Sequence, residues 1–542
     1  MSDITVSSSV DTLLRSSNTS AMRAALELQG GLQVIDVDNS GNSDVTASIQ
    51  SALDANNEGV VVLPSGTYLV SDADSSGTAL SISSPIRLIM APDAKLLLAS
   101  SAATSTAVLT IGDGSAALSD VVVEGGSIDG NALANGGAYT TTGGGIVIDG
   151  PVSKVSIRDL KITNMLGGGL VCKGASISNR AKHISVENVG VDNCGEGVRV
   201  EKTDNFHMRG GWITDMKSQD CFEPHGAMQN WSLRDCYIAR PHSSNSAVEV
   251  FPQHGDIVEG LIENCVIEDD EMRVSLSSGT SASDYEVSGL TVRGCHFKNS
   301  QTYLGVGGKF NNLTFDDNMF EGPSNCPRGV PSLKAAIDSY RSSNTLNVIN
   351  NTIFNYAGPA VVSQNKNLNV TGNTIYNCCT NTGVSTANRI TVSSTGGESL
   401  ISNNNIYDDQ STATAIAGLS YEGDRNRVIG NHFSGFDRPI NLDGKTPTYS
   451  IASANSCPER HVDDFIAVQS NASGTSTKIN ATSKTGNPYR FSRVSIHPNG
   501  DISPAVRYWP TWNGNAWYIN MDTAPTVPAS FTVYVQLRDN DR

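Results

Sequence analysis

The sequence predicts an all-β chain wound into a parallel β-helix, and three observations predict it. A short pattern returns twelve times between Gly126 and Asn431: GSI at 126, LKI at 160, VGV at 189, GWI at 211, CYI at 236, CVI at 265, CHF at 295, NMF at 318, NTI at 351, NTI at 373, NNI at 404 and NHF at 431. A turn-like residue stands two places before an Ile, Val or Phe, and the returns are 22 to 34 residues apart. The shorter spacings suit one winding of a solenoid, and the longer ones suit the same winding with a loop pushed out of a corner. Second, short alternating strands such as VSIRD, ISVEN, WSLRD and LTVRG precede the returns, and a further strand such as GVRVEK or AVEVF follows many of them. Third, the 542 residues are 38% hydrophobic but only 6% aromatic, with 51 glycines, which fits many short strands and turns rather than a helical enzyme.

Taken in order, residues 1–32 carry a helical signature in VDTLLRSSNTSAMRAALEL, where Leu13, Leu14, Met22, Ala25 and Leu26 form an apolar face. The segment is too short for its own core, so it packs on trimer partners or a larger assembly. Residues 33–100 read as an opening and capping module. Asp44 or Thr46 caps a helix whose Ile49, Ala52 and Leu53 face inward, and GVVVLPSGTYLVS is a strand, a Pro-Ser-Gly turn and a second strand. That helix covers the open end of the solenoid, where bare strand edges invite aggregation. Residues 101–456 form the β-helix of about twelve coils. From 457 to 542 short strands with close turns fit a β-sandwich-like domain or an intertwined cap. Trp509, Trp512 and Trp517 there either pack in that small domain or stack on sugar rings.

The order DVT, amphipathic helix, VVLPSGTY, apolar strands resembles the opening of pectate-lyase-like right-handed parallel β-helix proteins, which bacteriophage tailspikes and capsule depolymerases share. The resemblance covers roughly residues 33–455, and LLRSSNTSAMRAALEL resembles the linker before phage tail-fibre shafts. The N-terminus lacks the basic-then-apolar layout of a secretory signal, which favours a tailspike over a secreted pectinase. The resemblance implies a homotrimer made in the host cytoplasm and carried on the virion tail. It also implies attachment to tail or baseplate through the N-terminus, and binding and cleavage of a bacterial surface polysaccharide: capsule, O-antigen or exopolysaccharide. No fixed motif carries catalytic residues over.

Composition narrows the partners. Net charge is −17 with 17% charged residues, which argues against nucleic acid, since phosphate binding needs clustered Lys and Arg. No apolar run approaches the roughly 18 residues of a membrane span. Cys236, Cys265 and Cys295 occupy one slot of three consecutive coils and are expected as buried, reduced thiols. No Cys or His spacing resembles a zinc site, and neither metal nor cofactor is expected.

Chemistry has to be read on the outward face, where side chains form ladders about 4.8 Å apart from coil to coil. With Val198, Val200, Phe222, Val248, Val250 and Val274 pointing inward, the outward neighbours are Arg199, Glu201, Glu223, Glu249 and Arg273. Glu201, Glu223 and Glu249 are the predicted catalytic carboxylates on one face. Like charges at this spacing push one pKa upward, as a protonated acid beside an ionised carboxylate requires. Glu223, crowded by Phe222 and Pro224, is the expected general acid, with Glu249 or Glu201 as base. Arg199, Asp220, His225, His254, Arg273, Trp212 and Tyr303 are the expected substrate-binding residues, with Trp231 also nearby. A second candidate groove lies at Asp338, Tyr340 and Arg341. Two other readings stay open: a polysaccharide lyase using Lys202, Arg199, Arg273 or His225 with acidic residues holding Ca²⁺, and an adhesin that binds sugar without cutting it.

Overall fold

A computed structural model describes residues 32–440 apart from gaps of which 275–284, 323–334 and 381–388 are the longest, residues 451–453 and 455–456, and the backbone of strands between 465 and 537. The predicted N-terminal helical segment, Tyr340 and Arg341 lie outside the described residues, as do the side chains of Tyr303 and of the three C-terminal tryptophans. The chain divides into two units, Met1–Asn311 and Asn312–Arg542.

In the first unit a winding supplies three strands, as in Val152–Arg158, Lys161–Thr163 and Gly168–Lys173, each paired in parallel with its counterparts before and after. Alternation puts Val155, Ile157 and Ile162 inside, and the register stacks them on their counterparts. One interior column runs Ile128, Ile162, Val191, Ile213, Ile238, Ile267, Phe297, all fully buried. Burying each such side chain contributes about 1.5–3 kcal/mol, which is where a fold of three-residue strands finds its stability.

The twelvefold pattern is real, but its turn sits one residue earlier than the sequence suggested. Asp159, Asn188, Asp235 and Asn264 adopt left-handed backbone with φ of 53–54°, and Gly210 and Gly294 take the same corner on neighbouring windings. Asx residues tolerate this conformation because their short polar side chains bond locally. Except at Gly126 and Gly211, whose own φ is positive, the residue read as the turn is instead buried and stacked, as at Cys236, Cys265 and Cys295, each 1–2% exposed. All eight described cysteines are buried and unbridged.

The helix, α1 (Thr46–Ala55), buries Ile49, Ala52 and Leu53 as expected. The N-cap is Val45, whose apolar side chain cannot cap, rather than the expected Asp44 or Thr46; Asp44, one residue earlier, accepts from the Thr46 backbone N–H on Oδ1 at 2.9 Å. From α1, Gln50 reaches Thr78–Ile82, the first strand of its sheet. Its amide accepts from the Ser81 N–H (2.8 Å) and donates to the Ser81 carbonyl (2.9 Å). The helix therefore pairs backbone groups that an edge strand leaves open.

In the second unit, Ile337–Ser339, Val361–Ser363, Ile390–Ser394, Ala417–Tyr421 and Arg438–Ile440 pair in parallel. At the slot filled by cysteines earlier in the chain, Asn318, Asn351, Asn373, Asn404, Asn431 and Asn455 are all buried. Each of the first five donates its side-chain amide to the Oδ1 of the next at 2.8–3.1 Å, and Asn455 donates to the Val428 carbonyl at 3.0 Å. Beyond residue 465 the strands are antiparallel: Ala529–Leu537 lies between Phe465–Ala472 and Phe491–Pro498, and Trp517–Met521 between Ser476–Lys478 and Tyr508–Trp512.

Candidate active site

Four consecutive strands of one first-unit sheet carry the charged residues: Glu196–Glu201, Phe222–Pro224, Val248–Val250 and Glu271–Val274. The inward residues Val198, Phe222, Val248 and Met272 are in register and fully buried, which fixes what faces out. The outward row is Arg199, Glu223, Glu249, Arg273, with the backbone of Tyr303 continuing it. One step toward the strand starts are Glu196 and Asp220, and one step toward the ends are Glu201 and His225.

Within this grid, the nearest carboxylate oxygens of Asp220, Glu223 and Glu249 lie within 4.8 Å of one another. His225 Nδ1 is 2.8 Å from Glu223 Oε1, and its Nε2 meets Gln253 Oε1. His254 stacks on His225 with ring centroids 5.2 Å apart and places Nε2 3.4 Å from Glu201 Oε2, while Phe251 meets His225 edge-on at 5.0 Å. Arg199 Nη1 stands 3.4 Å from Glu196 Oε2, and Arg273 Nη1 3.8 Å from Glu249 Oε1. Asp220 Oδ1 accepts from the Ser246 N–H and Oδ2 from Asn245 Nδ2 at 3.3 Å.

These surroundings split the carboxyl groups. Burial, then the charges of Glu249 and Glu223, holds Asp220 well above the usual carboxylate range. Burial likewise lifts Glu196 well above it, and the adjacent Glu223 adds to the effect while Arg199 opposes it. Burial alone would raise Glu223 too, but hydrogen bonds from His225 and Glu196, with the charges of His225 and Arg199, bring it below the ordinary value. Burial depresses His225, yet the hydrogen bond to Glu223 and that carboxylate's charge carry it above its ordinary value. Burial and then the charge of His225, against the pull of Glu201, keep His254 low. A carboxyl group with a raised pKa thus stands beside one with a lowered pKa, a division that suits general acid–base work.

Most predicted residues converge here, with three corrections. Glu201 shares the face but not the row: Arg199 is the residue in register with Glu223, so Glu201 falls beside His225 and pairs with His254. Glu223 is not the raised acid that its crowded flanks suggested, because hydrogen-bond donors outweigh its burial. Trp212 lies on another sheet, in register with Gly190 and Tyr237, and Trp231 is core, 1% exposed and 6.0 Å from Phe222. Glu196 escaped the sequence reading because Gly195 and Gly197 flank it, so no alternating apolar neighbours mark its side. Asp338, from the second candidate groove, sits on Ile337–Ser339 in register with Val362.

Asp220, Glu223 and Glu249 are also the described trio close enough to share a cation. Arg199 and Arg273 bring positive charge to the same place.

The family described as "right handed beta helix region" matches residues 223–406. The chain is similar to the tailspike protein of Escherichia coli bacteriophage HK620, solved with a pentasaccharide: TM-score 0.53 at 10% identity, over 93% of this chain and 91% of that one. It is also similar to the A-module of the Azotobacter vinelandii mannuronan C-5 epimerase AlgE6, with a TM-score of 0.46 at 14% identity over 78% and 97% of the two chains. A third likeness, to the pre-mature gene product 12 of bacteriophage phi29, has a TM-score of 0.49 at 12% identity over 78% and 54%. No curated protein sequence is similar to this chain. The fold is a right-handed parallel β-helix.

Proposed function

We propose that this chain is a tailspike-type depolymerase that binds a bacterial surface polysaccharide and hydrolyses its glycosidic bonds on the Asp220–Glu223–Glu249 face. The observation that carries the reading is the convergence of these three carboxylates with opposite protonation tendencies, Asp220 raised and Glu223 lowered. Asp220 gives its proton to the leaving oxygen, and Glu223 acts as the ionised partner at the anomeric carbon. Glu249 faces Asp220, and its charge helps keep that proton in place. Arg199, Arg273, His225 and His254 rim the same face and orient sugar hydroxyls, with Glu196 beneath Glu223. The likeness to a tailspike solved with a pentasaccharide supports the fold for such a task. A homotrimer attached to a phage tail belongs to the same proposal.

Carboxyl oxygens that approach within 4.8 Å fit the close pair of a retaining enzyme (about 5–5.5 Å) better than the roughly 6.5–9.5 Å that leaves room for a water, so retention is the expected outcome. Proton NMR of the first-formed reducing end reads this directly: an initially inverted anomer would remove Glu223 from the nucleophile's role. The test of the function itself is an assay for new reducing ends on surface polysaccharides from a panel of bacteria. Glu223→Gln and Asp220→Asn should each lower the rate by about 10²–10⁴-fold while leaving binding intact. Products with the near-ultraviolet absorbance of an unsaturated uronate would select the lyase, and binding without any product the adhesin.

A further inference from the structure

We propose that Trp212 forms a second, non-catalytic saccharide-binding platform on the sheet that does not carry the carboxylates, taking one uncharged pyranose unit at a time. The strand Thr203–Thr214 sets Trp212 between Gly190 on the winding before and Tyr237 on the winding after. A Cβ at Gly190 would stand 2.3–2.8 Å from Cζ2, Cε2 and Cη2 of the indole. The ring therefore rests on bare backbone, supported from below by the one residue that leaves room for it. Its 40% exposure is large for a tryptophan held in this way.

The fringe is polar and already fixed. Tyr237 donates its hydroxyl to Glu268 at 2.8 Å, and Lys298 holds the other oxygen of that carboxylate at 2.5 Å. Arg240 makes two bonds to Asp215, both at 2.8 Å. An ordered fringe loses little side-chain entropy when it binds.

The surroundings choose the occupant. Among described residues the other large exposed hydrophobics are Leu133, Ile177 and Met319, and none lies on the first-unit strands of this sheet. A contiguous apolar patch of several hundred Å² would mark a protein-docking face, and none is built around Trp212 by these residues. One flat ring within an ionic fringe instead matches a pyranose, which offers an apolar C–H face for stacking and hydroxyls that donate and accept around its edge. The inference rests on the polysaccharide reading for its ligand class but not on catalysis.

The experiment uses the full chain labelled with 5-fluorotryptophan, the Trp212 resonance being assigned by its loss in Trp212→Phe. Methyl α-glucopyranoside, methyl β-galactopyranoside and N-acetylglucosamine are titrated to about 100 mM, since a single stacked ring binds at millimolar strength or weaker. At least one should shift the Trp212 signal saturably, and Gly190→Ala, which tips the indole off its seat, should abolish the shift. In a Glu223→Gln background, Trp212→Ala should weaken binding of the cleavable polysaccharide about 3- to 10-fold. Its initial rate on short oligosaccharides in the wild-type background should be unchanged. An unmoved resonance together with unweakened polysaccharide binding overturns the platform, as does a shift that survives Gly190→Ala. A saturable shift in a protein that cleaves nothing would sink the hydrolase and leave the platform standing.

Discussion

At Glu223 burial and hydrogen bonding pull in opposite directions, and the local donors win: His225 first, then Glu196. Asp220 accepts from a backbone N–H and an asparagine amide, but its burial and the two carboxylates it faces outweigh them and raise its pKa. If the proposed hydrolysis holds, activity should fail on the acid side when Glu223 takes up a proton and on the alkaline side when Asp220 releases one. The working range lies between a lowered and a raised carboxyl pKa. His225→Gln removes the strongest influence lowering Glu223, so the acid limb of the pH–rate profile should move to higher pH while the alkaline limb, set by Asp220, stays in place. A shift of both limbs together, or of neither, would mean that His225 does not govern Glu223. The row Arg199, Glu223, Glu249, Arg273 was legible in the sequence because apolar neighbours fix which side faces out. Protonation was not legible, because it depends on groups that meet only after coiling, such as Gln253 with His225. Even the register was ambiguous at Glu201, since Phe222–Pro224 is too short to show whether Arg199 or Glu201 stands opposite Glu223.

At the scale of a strand and its corner, one slot is filled by thiols in the first unit and by amides in the second, and the two fillings differ in cost. A buried thiol behaves as a small hydrophobe, whereas a buried amide must be bonded. Asn404 Oδ1 accepts from both the backbone N–H and the side-chain amide of Asn373. Its own amide donates to Asn431 Oδ1 and the Val370 carbonyl. Asn404→Ala strands several of these groups without water, so about 2–3 kcal/mol of stability should be lost. Cys265→Ala removes one sulfur with its weak thiol bonds to the Leu233 and Glu263 carbonyls, and should cost about 1 kcal/mol. Denaturant unfolding of the two variants checks the contrast, and equal losses would mean that water or neighbours satisfy the amides. The NTI, NNI and NHF returns showed the period plainly. They misled on the turn, because Asn serves both as a left-handed corner and as a buried ladder rung, and only stacking tells the two apart. Gly190 and Trp212 show the same limit: the sequence places an exposed aromatic on the solenoid, but not on which sheet.

For the molecule as a whole, charge sets what it can approach. The chain carries 54 acidic against 37 basic residues, a net charge of −17, and the candidate site holds five carboxyl groups at Glu196, Glu201, Asp220, Glu223 and Glu249. Its arginines are committed to that cluster, Arg199 to Glu196 and Arg273 to Glu249. A polyanionic glycan therefore meets the protein's repulsion at long range and, at contact, a candidate site whose two arginines offset much of its carboxylate charge. At low ionic strength the long-range part reaches tens of ångströms, and at about 0.15 M salt it falls off within roughly 8 Å. A neutral polysaccharide feels no such repulsion. On a neutral substrate kcat/KM should hardly change as salt rises from about 0.01 to 0.15 M, whereas any turnover of a uronate-rich polymer should increase over the same range as repulsion is screened. Measuring kcat/KM on both across that range tests the substrate class without knowing the linkage. Uronate turnover that is fast at low salt and falls as salt is added would show attraction where repulsion is expected, and would turn the assignment toward a lyase whose arginines and histidines grip the substrate carboxylate.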